Sequence, residues 1–186
     1  PPFSILFTGR IYWPQINALK NLVQAVEDIN NLDLRLDIYC PNPRDYLDRI
    51  GIKESDKIKI SVAPPQDMPR IQSQADILFL PLSWGTKSND IINTATPGKF
   101  TDYLVAGKPM LIHAPASTYL VKYAKENNCA MIVDKNDIEE LKRGIKTLIE
   151  NPDLAHLLIQ NARKTFFANH DANKNAEIFR TLFAKN

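Results

Sequence analysis

The amino-acid sequence predicts an α/β fold: a doubly wound, six-stranded parallel sheet with helices on both faces and a helical C-terminal tail. Two observations carry the prediction. Short apolar runs alternate along the chain with longer segments whose apolar residues recur at helical spacing. Strands alternating with helices imply a parallel sheet covered on both sides, and the fourth apolar run is unbroken, as a strand buried on both faces is.

The elements follow in order. "FSILFTG" (3–9) reads as a buried strand. In "NALKNLVQAVEDIN" (17–30), Leu19, Leu22, Val23, Val26 and Ile29 lie at helical spacing. "LRLDIYC" (34–40) is a strand, and "PRDYLDRIG" (43–51) is a short helix stopped by Gly51. "KIKISVA" (57–63) alternates as a strand does. "MPRIQSQA" (68–75) is a short helix with Asp67 as candidate cap and Pro69 in its first turn. "DILFLP" (76–81) is the unbroken strand. After a long polar connection, "PGKFTDYLVAG" (97–107) reads as a helix with proline near its start and Gly107 past its end. "PMLIHA" (109–114) and "CAMIVD" (129–134) are strands flanking the helix "STYLVKYAKENN" (117–128). "NDIEELKRGIKTLIEN" (136–151) and "PDLAHLLIQNARKTFFA" (152–168) are helices opened by Asp or Pro signals, and "NKNAEIFRTLFAKN" (173–186) is a last helix.

With 186 residues, 44% of them hydrophobic, and no repeat, low-complexity tract or clear linker, the chain reads as one domain over 1–186 with tail helices from 152 onward. A net charge of +2 without any basic run argues against a nucleic-acid binder. Cys40 and Cys129 lie in no C-x-x-C pair and near no histidine, so they suggest buried free thiols in a reducing compartment rather than a metal site. No signal peptide and no apolar stretch of about 18 residues occurs, so the chain as given reads as soluble. A start that enters a strand almost at once suits a natural domain, and equally one half of a longer protein.

Six strands point to the Rossmann-like strand order. In such sheets ligands bind beyond the carboxyl ends of the strands, where the order reverses. Here that means "TGRIYWPQ" (8–15) and the connection after the fourth strand, which hold Gly9, Gly85 and Gly98. That connection is well past ordinary loop length, which favours function.

Gly9 permits close backbone approach and Arg10 offers a forked pair of phosphate donors; a turn glycine beside a solvated arginine reads equally well. "TATPGKFTD" (94–102) is an exposed helix start with small hydroxyl residues and a lysine, an anion site by geometry. Lys99 in a first turn opposes the helix dipole, and a bound anion removes that conflict. The plainer reading makes Thr96 an N-cap and leaves Lys99 solvated. Asp102, one turn further, suits the hydroxyls of a sugar or ribose, or a local ion pair with Lys99. The sequence contains no G-x-G-x-x-G after the first strand, no P-loop, no acidic pair there and no G-x-S-x-G. Nicotinamide cofactors, P-loop chemistry, a phospho-acceptor receiver and α/β-type serine hydrolysis are thereby disfavoured. His113 ends the fifth strand on the ligand side, whereas His156 and His170 fall on tail helices.

At "PGKFTDYLVAGKPMLIH" (97–113) the sequence resembles the donor-binding half of GT-B-fold glycosyltransferases, especially the retaining family 4, the glycosyl transferases of group 1. Members often carry P-x-K-x-x-E-Y-L-A-x-G-K-P-V there; Pro97, Lys99, Asp102, Tyr103, Leu104, Gly107, Lys108 and Pro109 match or nearly match it. "FTGR" with the following helix resembles the family's opening loop, and "NNCAMIVD" with its two helices resembles its closing segment. The resemblance implies a C-terminal, nucleotide-sugar-binding domain, with the N-terminal acceptor domain as partner outside this chain. It implies a UDP- or GDP-sugar as donor, no metal and no cofactor. Arg10 and Lys99 would stabilise the leaving diphosphate. Gly9, Arg10, Thr94, Thr96, Pro97, Gly98 and Lys99 would hold it, Asp102 the ribose, and Ala63, Pro64 and Gln66 the base.

This chain also departs from the family pattern. No lysine follows Arg10 closely, although Lys87 is a candidate replacement. Thr94 stands where relatives often place the first of two glutamates spaced by seven residues, and Asp102 replaces the second. These departures keep two alternatives open: a non-catalytic GT-B-like binding module, and a GT-B-fold sugar-nucleotide epimerase with His113 as its one candidate histidine. Tyr12 and Trp13, beside the first loop, are expected to meet a partner domain or the acceptor. The resemblance places the protein in the cytoplasm and leaves open peripheral association with the inner membrane surface through the other half.

Overall fold

Six parallel strands form one sheet: β1 (Phe3–Thr8), β2 (Leu34–Tyr39), β3 (Ile58–Ser61), β4 (Ile77–Pro81), β5 (Met110–His113) and β6 (Met131–Val133). Their order is β3-β2-β1-β4-β5-β6, the doubly wound order expected from six strands. The computed structural model describes residues 1–85 and 88–171, together with Ala176 and Arg180. The helix expected over 173–186 otherwise lies outside the described residues, as does Lys87.

The sheet is covered on both faces, because alternate residues of its strands feed two apolar layers. Ile5 and Phe7 of β1 face one layer, with α1 (Ile16–Asp28), α2 (Arg44–Arg49) and α7 (Ile138–Glu150). Leu6 faces the other, with α4 (Asn89–Thr94), α5 (Lys99–Val105) and α6 (Tyr119–Glu126). The short α3 (Met68–Gln74) adds Ile71 to the rim of this second layer. α8 (Pro152–Asn169) gives Leu158 to the first layer and Ala162 to the second. Cys40 and Cys129 are buried free thiols within these layers.

Several helix ends match their sequence signals. Asp137 accepts hydrogen bonds from the amides of Glu139 (2.8 Å) and Glu140 (3.1 Å), which caps α7. Asn151 caps α8 through Leu154 N (3.0 Å), with Pro152 in the first turn. Other signals mislead. Asp67 makes no capping bond, because a 3-10 turn (Pro65–Asp67) already gives it helical backbone and runs straight into α3. The N-cap of α5 is Gly98 rather than Thr96. The polar connection after β4 contains α4, with Ile92 buried against the second layer.

Candidate functional site

The crevice predicted by the strand order opens where β1 and β4 part. They pair only at Ile5–Ile77 and Leu6–Leu78, whereas β1 continues beside β2 as far as Thr8–Tyr39. Gly9 follows, with its amide donating to Tyr39 O (2.8 Å) and φ at +107°. The loop beyond it is clamped by one side chain: Asn42 Oδ1 accepts from Ile11 N (2.8 Å) and Asn42 Nδ2 donates to Ile11 O (2.9 Å). Ser83, just past β4, closes the other side. Its amide donates to Pro14 O (2.7 Å), and its Oγ accepts from Asn17 N (3.1 Å), capping α1, for which Gln15 provides no side-chain cap. The helix after the first strand therefore spends an N-terminal donor on Ser83.

Lys99 is the cation at the centre of this arrangement. As the first residue of α5 it reaches back over β1, and its Nζ lies 4.4 Å from the centroid of the Phe7 ring. The same nitrogen lies 2.9 Å from where a β-carbon on Gly9 would stand, so the glycine is what admits it. Lys99 has no acidic partner among the described residues, and burial pushes its pKa down to about 8. Tyr103, one turn further along α5, is fully buried, and its hydroxyl bonds Thr8 N (3.2 Å) and Thr8 Oγ1 (3.0 Å). Burial pushes Tyr103 up to about 12, so it stays neutral.

Two adjoining cavities flank this point. One, of about 280 Å³, touches Gly9 and Arg10 and is walled by Tyr39, Val62, Ala63 and Met68. The other, of about 380 Å³, shares Pro65 and Met68 with the first and reaches Asp102 and Gln72. Gly9, Arg10 and Ala63 thus line the first cavity and Asp102 the second, while Lys99 lines neither and meets this region through Gly9 and Phe7. Arg10 and Asp102 are exposed there, and Arg10 has no acidic partner among the described residues.

Other candidates stand apart. Pro64 and Gln66 are exposed and line neither cavity. Thr94 spends its hydroxyl on its own helix, donating to Asp90 O (2.8 Å). Thr96 and Gly98 are exposed, and Pro97 O accepts from Phe100 N (2.8 Å) in the turn that starts α5. Tyr12 and Trp13 are largely exposed beside the crevice, at 49% and 44%. Asn42, Ser83 and Tyr103 carry no catalytic signature in sequence, yet they hold the crevice in shape.

His113 lies at the carboxyl end of β5 but is sealed, with no exposed surface. Its Nδ1 donates to Val133 O (3.0 Å), and its Nε2 accepts from Asn21 Nδ2 (3.0 Å). Burial, the dominant influence, pushes it down to about 4, against a smaller upward pull from the bond to Val133. Between the ordinary value of 6.5 and about 4, the unfolded chain binds a proton that the folded chain refuses. Stability is therefore expected to fall as pH drops through that window, by about 3 kcal/mol at most. In His113→Gln this part of the pH dependence disappears, which denaturant melts between pH 7 and 4 will read.

Among the described residues, no group of three or more His, Cys, Asp or Glu side chains could hold a metal ion. Nor is any described helix long and apolar enough to cross a membrane.

Comparison with known proteins gives a consistent picture. No curated protein matches the chain by sequence. Among solved structures, a glycosyltransferase from Rickettsia africae superposes with a TM-score of 0.71 at 17% identity, covering 100% of this chain and 49% of that one. Alr3699/HepE from Anabaena, in complex with UDP-glucose, gives 0.71 at 14% identity, covering 98% and 49%. The C-terminal domain of a group 1 family glycosyl transferase, LpcC, from Francisella tularensis gives 0.62 at 11% identity, covering 91% and 87%. The chain spans about half the length of the first two and most of the isolated C-terminal domain. These likenesses show the fold, and a family model adds the rest: the one described as "Glycosyl transferases group 1" matches residues 2–151. Because that match runs from β1 to the end of α7 and takes in Gly9, Lys99 and Asp102, the chain belongs to the glycosyl transferases of group 1.

Proposed function

We propose that this domain binds the nucleoside-diphosphate part of a sugar nucleotide and, together with an N-terminal acceptor domain, transfers the sugar with retention of configuration. The observation that carries the reading is Lys99: a half-buried cation with no acidic partner among the described residues, set against a glycine at the switch point of the sheet. A diphosphate supplies the missing charge. As the bond between sugar and phosphate breaks, negative charge gathers on the departing diphosphate, and Lys99 and Arg10 stand where that charge develops. Gly9 lets the phosphates approach the backbone. The cavity walled by Val62, Ala63 and Met68 suits a base, and Asp102 in the adjoining cavity suits ribose hydroxyls. The UDP-glucose held by the Anabaena structure of the same fold supports a UDP-sugar, with a GDP-sugar as the other candidate. Donor and acceptor suffice for this reaction without a further cofactor, and a cytoplasmic setting with peripheral membrane contact through the other half belongs to the same proposal.

Calorimetric titration with UDP, GDP and ADP tests it. At least one is expected to bind, and Asp102→Ala is expected to weaken it about tenfold, or ~1.4 kcal/mol, while leaving inorganic diphosphate unaffected. An absence of binding by all three at millimolar concentration, in a folded chain, counts against the proposal. The bonding of Thr94 to its own helix favours one alternative, a binding module that has lost transfer. Transfer or hydrolysis of a sugar nucleotide by a chain carrying both domains would dispose of that alternative. The epimerase reading gains nothing from His113, whose two nitrogens are both engaged in the core.

A further inference from the structure

We propose that Tyr103 is a positioning residue of the diphosphate site: its hydroxyl replaces the missing strand partner at the end of β1 and thereby holds Lys99 against Gly9. This rests on the reading of Lys99 as the anion-binding group.

Hydrogen-bonding directions alternate along β1. Phe3 N and Gly9 N donate toward the β2 side, to Asp33 O and Tyr39 O, so the amides of Ser4, Leu6 and Thr8 face β4. Pairing with β4 covers only Ile5 and Leu6, so Ser4 and Thr8 lack strand partners on that side. Each is closed by a side chain instead: Ser4 N donates to Asp76 Oδ2 (2.8 Å), and Thr8 N to the Tyr103 hydroxyl (3.2 Å). Parting of the strands is what opens the crevice, and Tyr103 fills the hydrogen-bonding gap that the parting leaves. Lys99 and Tyr103 stand four apart on α5 and so share a face. With Tyr103 tied to Thr8, Lys99 falls on the residues to either side, Phe7 and Gly9. Without the hydroxyl, buried polar groups of Thr8 lose a partner, and α5 has no directional bond holding it to β1.

The lysine side chains of the free protein can be titrated by NMR in the wild type, Tyr103→Phe, Thr8→Val and Thr118→Ala. Thr118 caps α6 through Val121 N (3.2 Å), away from the crevice, and serves as a control for destabilisation alone. Lys99 is expected to titrate near 8 in the wild type and in Thr118→Ala. It should move upward toward the ordinary lysine value in Tyr103→Phe, and part of the way in Thr8→Val. Affinity for inorganic diphosphate, measured on the same samples, is expected to fall about tenfold in Tyr103→Phe. If Lys99 keeps its wild-type titration in Tyr103→Phe while stability drops as in Thr118→Ala, Tyr103 is structural only and the proposal is overturned. Should Tyr103→Phe not fold, the same comparison on Thr8→Val decides. A shifted Lys99 titration in a protein that binds no diphosphate upholds the positioning role and overturns the diphosphate reading.

Discussion

Replacing Lys99 by methionine is expected to weaken nucleoside diphosphate binding about a hundredfold while making the free domain more stable at neutral pH. The loss follows from removing a charge-assisted contact made by a half-buried cation, and such bonds contribute about 1.5–3 kcal/mol. The gain follows from the depressed pKa of the lysine. Below pH 8 its ammonium is charged in both folded and unfolded chains, and the folded state carries the full desolvation cost, about 3 kcal/mol at most. From pH 8 to 10.5 the unfolded chain still holds the proton and the folded chain does not, so wild-type stability rises with pH. Above 10.5 both are neutral, and this part of the difference between wild type and variant vanishes. Denaturant melts of the pair at pH 7 and pH 11 will show whether the difference shrinks, since other groups titrate alike in both. Binding runs the other way: an anion favours the ammonium, so affinity should decline as pH rises beyond 8, with proton uptake visible by calorimetry in buffers of different ionisation enthalpy. Equal affinities for wild type and Lys99→Met would remove Lys99 from the site.

The strands and the longer helices were legible because their signals are local. Unbroken apolar runs, helical spacing from Leu19 to Ile29 and the cap at Asp137 each depend on a few neighbouring residues, and each appears where it was expected. The meeting of Gly9 and Lys99 was legible too, since both follow from strand order and a helix start, whereas Pro64, Gln66 and Thr94 stand apart from them. The partners that shape it were not. Ser83 caps a helix 66 residues earlier, Asn42 clamps a loop 31 residues away, and Tyr103 bonds Thr8 across 95 residues. Such bonds leave no periodicity in a sequence. α4 was hidden for a different reason: its six residues include two isoleucines, only one of them buried, too little for a helical pattern to register. His113 does end β5, as the sequence reading has it, but the bonds to Asn21 and Val133 that withdraw it from solvent come from elsewhere in the chain.

Gly9→Ala should separate the two duties of that glycine, backbone turn and lysine socket. At φ +107° an L side chain is strained, a cost of about 1–3 kcal/mol. For a chain of this size, the melting temperature should fall by roughly 2–4 °C per kcal/mol. The added β-carbon would also come within 2.9 Å of Lys99 Nζ and 3.0 Å of its Cε. The lysine end is flexible, so it will swing away rather than break the fold, and the cation will leave the place it occupies over β1. Affinity for the nucleoside diphosphate is therefore expected to drop about tenfold or more, beyond anything the lost stability explains. Gly107→Ala supplies the control. Its φ of +73° is also left-handed and disfavours an L side chain, but nothing lies within 4 Å of an added β-carbon, and it sits just past the far end of α5. Gly107→Ala should lose stability and keep its affinity, whereas Gly9→Ala loses both. If the two variants bind alike, the close approach of Lys99 to Gly9 has no part in holding the ligand, and the phosphate end of the crevice must lie elsewhere along the loop.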